Sequence, residues 1–201
     1  MEKLETVNYL LSLLGSSPVG DLETLHPDAE VCINRLNEAS RTIQKKGWWF
    51  NQEYGYFLEP DATTKEIALP TFCLEATVTN WGGVIKRGLK LYDTVNHTYQ
   101  FTNSLYVNMI VKLDWELLDE NAQDTIKFFA GMQLMGADLE DSIKEAAQAK
   151  LYTDAMTDMK KTNLRVQRRN ILGSPASLKA RAGVRPYGLR SGSIDPTNPG
   201  G

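Results

Sequence analysis

The chain has 201 residues, 42% hydrophobic and 23% charged, close to globular averages, so it can bury the core of one or two domains. It has no run of about 18 apolar residues, which argues against a membrane-spanning helix, and its charged start, Met1-Glu2-Lys3-Leu4-Glu5, does not read as a secretory signal. The formal net charge of −3 hides an asymmetry: residues 165–201 hold seven Lys/Arg and one acid (+6), whereas residues 1–164 hold 15 Lys/Arg and 24 Asp/Glu (−9).

In chain order, Leu4, Val7, Leu10, Leu11 and Leu14 recur at helical spacing and predict a helix over 2–14, closed by Gly15-Ser16-Ser17-Pro18. After a loop, Pro27-Asp28-Ala29-Glu30 has the chemistry of a helix first turn: a proline near N1, and acids facing the positive end of the dipole. This second helix runs to about Lys46, with Ala29, Cys32, Ile33, Leu36, Ala39 and Ile43 on one face. It ends at Gly47-Trp48-Trp49-Phe50-Asn51, where the helical period gives way to an alternating one. Glycine suits the helix exit because it accepts positive φ. The three aromatics are expected to be core, joining two structural layers.

Strands are expected over Tyr54–Leu58, Ile67–Leu69, 72–79, Val84–Lys86, Leu89–Tyr92, Thr98–Phe101 and Tyr106–Leu113, with turns at Pro60-Asp61-Ala62, Trp81-Gly82-Gly83 and 93–97. Hairpin-like spacing predicts an antiparallel or mixed sheet. A third helix over 121–136 carries Ile126, Phe128, Phe129, Met132, Leu134 and Met135 nearly all round, so it should be the most buried. A fourth, over 139–169, carries Leu139, Ile143, Ala146, Ala147, Leu151, Ala155 and Met159. Its length implies that part of it packs on another subunit or projects. From Ile171 onward, Gly and Pro punctuate every few residues, and the tail reads as extended. Arg181, Arg185, Tyr187, Leu189 and Arg190 suit docking on a partner surface; a disordered tail is the alternative.

Signals for catalysis are weak. His26 and His97 have no Cys, Asp or Glu at metal-ligand spacing, and no phosphate-loop, dinucleotide or nucleophile motif occurs. No metal and no cofactor is expected. Cys32 and Cys73 sit in apolar settings and read as two buried thiols, with one disulfide as the alternative. The acids Asp114, Glu116, Asp119 and Glu120 are expected to punctuate the passage into the third helix. Two alternatives stay open: a polysaccharide hydrolase using Asp114, Glu116 or their neighbours, and a nucleic-acid-binding module using the basic tail.

The order of two helices, then Ile43-Gln44-Lys45-Lys46-Gly47-Trp48-Trp49-Phe50-Asn51, then a strand ending Leu58-Glu59-Pro60-Asp61 resembles the tail tubular protein A family, the head-to-tail adaptors of short-tailed bacteriophages. Their pattern is a helix ending Gly-Trp-x-Phe-Asn and a β segment ending Leu-x-Pro-Asp. Arg87-Gly88 with Leu91-Tyr92-Asp93, the strand to Leu113 and two closing helices are similar in order, so the resemblance covers roughly residues 1–170; the tail departs from it. It implies a structural virion protein without catalysis, assembled in the host cytoplasm. Copies would form a ring, usually dodecameric, joining the portal protein to the tail nozzle protein, helping seat the tail fibre protein, and passing genomic DNA without sequence-specific binding or membrane contact. The fold expected is α+β. Residues 1–53 and 114–170 would form a helical bundle, 54–113 an inserted β domain, and 171–201 an extended basic tail.

Overall fold

In the computed structural model, which describes residues 2–23, 26–136 and 142–173, the first helix, α1 (Lys3–Leu13), begins where the Glu2 backbone N–H donates to Glu5 Oε2 at 3.2 Å. It buries Val7, Leu10 and Leu11, and Gly15 at φ 73° turns the chain away. The second, α2 (Pro27–Gln44), buries the expected Ala29, Cys32, Leu36, Ala39 and Ile43, while Ile33 is half-buried. The third, α3 (Glu120–Met135), starts at Asp119, whose carboxylate accepts the Asn121 N–H at 3.0 Å. Within α3 only Glu120 and Asn121 are exposed, so it is the buried helix its composition predicts. These faces close one hydrophobic cluster with Trp48, Trp115, Leu118, Met156 and Met159. Each fully buried Leu or Ile there contributes about 1.5–3 kcal/mol.

The fourth helix, α4 (Ser142–Gly173), runs past Ile171 because the first breaker of the tail is Gly173 itself. Its buried face keeps Met159 of the expected one and otherwise corrects it; Leu139 lies outside the described residues. Gln148, Met156 and Met159 are buried, and Tyr152 packs on Phe129 with ring centroids 5.0 Å apart. Ile143, Ala146, Ala147 and Leu151 point to solvent. The chain divides into two units, Met1–Asn163 and Leu164–Gly201, the described part of the second being the end of this helix.

All strand pairs are antiparallel. The strands β1 (Gln52–Leu58), β2 (Cys73–Val78) and β5 (Leu105–Val111) form a three-stranded sheet in the order β1-β5-β2, and β3 (Val84–Arg87) pairs with β4 (Lys90–Asp93). Alternation along β5 turns Leu105, Val107, Met109 and Val111 into a second cluster with Ile67, Leu69, Cys73, Leu91 and Phe101. The fold is therefore mixed α+β. Two expected strands are not ladders. Ile67–Leu69 and Thr98–Phe101 make only single bridges, Glu66↔Gln100, Ala68↔Lys90 and Asp93↔Thr98. Pro70 removes the next donor, so Ile67 and Leu69 are buried yet bonded to just one residue at a time: Leu91 N–H to Ile67 O at 3.1 Å, and Leu69 N–H to Leu89 O at 2.8 Å.

The aromatic joint connects the two clusters, though mostly through its polar residues. Trp48 is buried, with its indole N–H on Ile43 O at 2.7 Å; Trp49 and Phe50 are half-buried against the helical cluster. Asn51, 1% exposed, accepts the Trp48 N–H (2.8 Å) and donates to Gln44 O and Val111 O (both 2.9 Å). Gln44, also buried, donates to Leu113 O at 3.0 Å and accepts the Leu113 N–H at 2.7 Å, so its amide imitates a strand neighbour. Thus two buried amides clip the end of α2 to the end of β5, satisfying main-chain groups where helix and ladder both stop.

Candidate assembly surfaces

The residues expected to bind partners, Arg181, Arg185, Tyr187, Leu189 and Arg190, lie outside the described residues. Within the described ones, four surfaces carry chemistry that the fold does not consume.

The first is β1. Every position from Glu53 to Phe57 is exposed, including Tyr54 at 73%, Tyr56 and Phe57. The register places Phe57 opposite Tyr106, with ring centroids 5.3 Å apart, on the outer face of the sheet. A bulge between Glu53 and Tyr56 places Gly55 at φ 64°, and its N–H donates to Asn108 Oδ1 at 2.9 Å. Such a bulge blunts the open edge of the strand. Of the alternating Tyr54, Tyr56 and Leu58 that marked this strand in the sequence, only Leu58 is partly buried, against the second cluster.

The second is the β3–β4 hairpin. Arg87 pairs with Lys90 across Gly88 and Leu89, and Gly88 takes φ 62° at the turn. Ile85 pairs with Tyr92, so Ile85, Arg87, Lys90 and Tyr92 share a face. The Arg87 guanidinium lies 3.6 Å from the centre of the Tyr92 ring, and Tyr92 meets Tyr99 edge-on at 4.8 Å. The far end is fixed by Asp93, 2% exposed, whose carboxylate accepts the N–H groups of Val95 (2.8 Å) and Asn96 (3.0 Å) and the Asn96 side-chain amide (2.8 Å). The bonds from Asn96 hold this carboxyl below the usual carboxylate range. A two-residue Gly-containing loop between alternating segments was the signal for this register.

The third is a groove of about 630 Å³ lined by Glu2, Lys3, Leu4, Glu5, Trp115, Glu116 and Gln123. Here the acids read from the sequence separate into roles. Asp114 precedes a short 3-10 turn, Trp115–Leu117, and its carbonyl accepts the Leu117 N–H at 3.1 Å. Asp119 caps α3. Glu116 is left exposed on the groove rim, and Leu117 beside it is 68% exposed.

The fourth is the uncovered stripe of α4, where Ile143 is 81% exposed.

Among the described residues no three His, Cys, Asp or Glu side chains come together in a way that could hold a metal ion. Cys32 and Cys73 are free thiols, each buried in a different cluster. Burial, with Asp28 nearby, pushes the Cys32 thiol up to about 11, and burial raises Cys73. Both are poor nucleophiles at neutral pH. Among the described residues no helix is long and apolar enough to cross a membrane.

Residues 4–175 match the family model described as tail tubular protein; the chain belongs to that family and is a structural protein of the bacteriophage tail. It is similar to the curated Tail tubular protein A of Klebsiella phage KP34, with 27% identity over 143 residues, covering 69% of this chain and 74% of the relative.

Proposed function

We propose that this chain is the adaptor of a short-tailed phage: copies form a ring, dodecameric in the family it resembles, between the portal protein and the tail nozzle protein. The ring surrounds the DNA exit channel, helps seat the tail fibres, and catalyses nothing. The single observation that carries this reading is the family match over residues 4–175. Three features of the chain support it. The α4 stripe at Ile143, Ala147 and Leu151 is exposed among the described residues and suits packing on a neighbour. The net −9 of residues 1–164 suits a channel wall that repels phosphate and lets DNA slide. The basic residues Arg181, Arg185 and Arg190, with Tyr187 and Leu189, suit an extended segment that anchors on the portal or on a neighbouring copy.

In this reading, residues 1–53 and 114–170 serve as a helical bundle and 54–113 as an inserted β domain, clipped together by Gln44 and Asn51. Light scattering of the purified chain, with and without the portal, tests it. A large ring, or a monomer that assembles on the portal, is expected, and deleting residues 171–201 should weaken portal binding. A monomer indifferent to the portal would refute the adaptor reading.

A further inference from the structure

The β3–β4 hairpin holds three cations between residues 84 and 92 and no acid, in a body that is otherwise strongly acidic. Two of the three are engaged within the copy. Lys86 Nζ donates to Cys73 O at 2.6 Å and Leu74 O at 2.7 Å, and Lys90 pairs with Glu66 at 2.5 Å. Arg87 is exposed, and its one contact among the described residues is the Tyr92 ring. Stacking fixes the guanidinium plane and leaves its N–H edge free, so little further side-chain entropy is lost when a carboxylate binds it. Ile85, 43% exposed, and Tyr99, 37% exposed, flank it. Arg and Tyr beside an aliphatic anchor is the composition of an interface hot spot.

The complementary surface is on the same chain. The groove at the start of α1 holds the carboxylate of Glu116, exposed on its rim, and those of Glu2 and Glu5, which each also accept one main-chain N–H in the capping box of α1, against one cation, Lys3, over an apolar floor of Leu4 and Trp115. We propose that two copies meet head-to-tail, the Ile85–Arg87–Tyr92 face of one hairpin seating in the Glu2–Glu5–Glu116 groove of the next. The inference rests on the ring reading and deepens it. Copies with acidic bodies repel one another, so their contact needs a cation placed where an acidic patch arrives. The two patches belong to different parts of the chain, so each copy uses its hairpin on one neighbour and its groove on the other. Such a heterologous contact propagates and closes into a ring where its rotation allows, and it does not stop at a pair.

The test uses the full chain and two charge reversals, Arg87→Glu and Glu116→Lys, with mass read by light scattering and native mass spectrometry. Where the wild type assembles only on the portal, the portal is included throughout. Each single variant should associate at least tenfold more weakly than the wild type, and raised salt should weaken the wild type in the same direction. An equimolar mixture of the two variants should assemble again: in an alternating ring every contact sets the charge at residue 87 of one copy against an opposite charge at residue 116 of the next. Far-ultraviolet circular dichroism and the thermal midpoint report whether each variant is folded, and Arg87→Gln with Glu116→Gln supply milder losses of charge. An Arg87→Glu chain that assembles like the wild type, or a mixture that stays dissociated, overturns this contact and leaves the ring standing. A wild type that is monomeric both alone and with the portal overturns the ring reading, and this contact with it.

Discussion

Replacing Asn51 with alanine removes one amide from a site that is 1% exposed and closes three hydrogen bonds. The losses are unequal. The Gln44 carbonyl keeps its bond from the Gly47 N–H at 3.1 Å, whereas the Trp48 N–H loses the Asn51 side-chain acceptor and the Val111 carbonyl loses the Asn51 amide. A buried main-chain group left unsatisfied costs about 1–3 kcal/mol, so the substitution should destabilise the chain by roughly 3–4 kcal/mol. That is a large share of the ~5–15 kcal/mol typical of a folded domain. At this chain length it corresponds to a fall in Tm of roughly 10 °C. Urea unfolding followed by tryptophan fluorescence and by circular dichroism gives the difference directly. Asn51→Asp serves as the control: it keeps an acceptor for Trp48 but faces the Gln44 and Val111 carbonyls with a charged oxygen, so it should be no more stable than Asn51→Ala at pH 7. An Asn51→Ala chain within about 1 kcal/mol of the wild type would refute the idea that this amide clips helix to sheet.

Gly47→Ala should cost about 1–3 kcal/mol, because residue 47 sits at φ 72° and an added Cβ would lie 2.8 Å from Ile110 Cδ1; in denaturant titrations, Ile110→Val should recover the crowding part and leave the backbone part. Asp93 has a depressed carboxyl, so its contribution to stability is present above its unfolded pKa of about 4 and is lost as pH falls through the lower folded value. Asp93→Asn should therefore be less stable at pH 7 and show a shallower loss on acidification, measured by urea midpoints between about pH 2 and 7; an unchanged acid limb would show that the Asp93 turn does not set it.

The sequence by itself determined the order of the four helices and the inward faces of α1 and α2, because apolar spacing, capping residues and breakers act within a few residues of one another. The end of α2 at Gly47 was legible for the same reason: a positive φ at a helix exit asks for glycine. Only the tertiary structure decided which apolar stripes are covered. Ile143 and Leu151 of α4 have the spacing of a core face, yet the core took Gln148, Met156 and Met159 with Tyr152 half-buried beside them, since the elements packed on a helix decide which of two adjacent stripes turns inward. β1 alternates like β5, yet Tyr54 and Tyr56 stay exposed where Val107 and Met109 are buried, and which residues meet the second cluster is decided by packing between distant segments. Gln44 and Asn51 looked like ordinary polar residues beside an aromatic run. Their role depends on Val111 and Leu113, some 60 positions away, whose main-chain groups need partners where the ladder ends. The stacked Arg87 and the acids of the groove were visible as charges in the sequence. Which of them are engaged by other residues of the chain and which stay exposed was set by the hairpin register and by the meeting of α1 with the Trp115 turn.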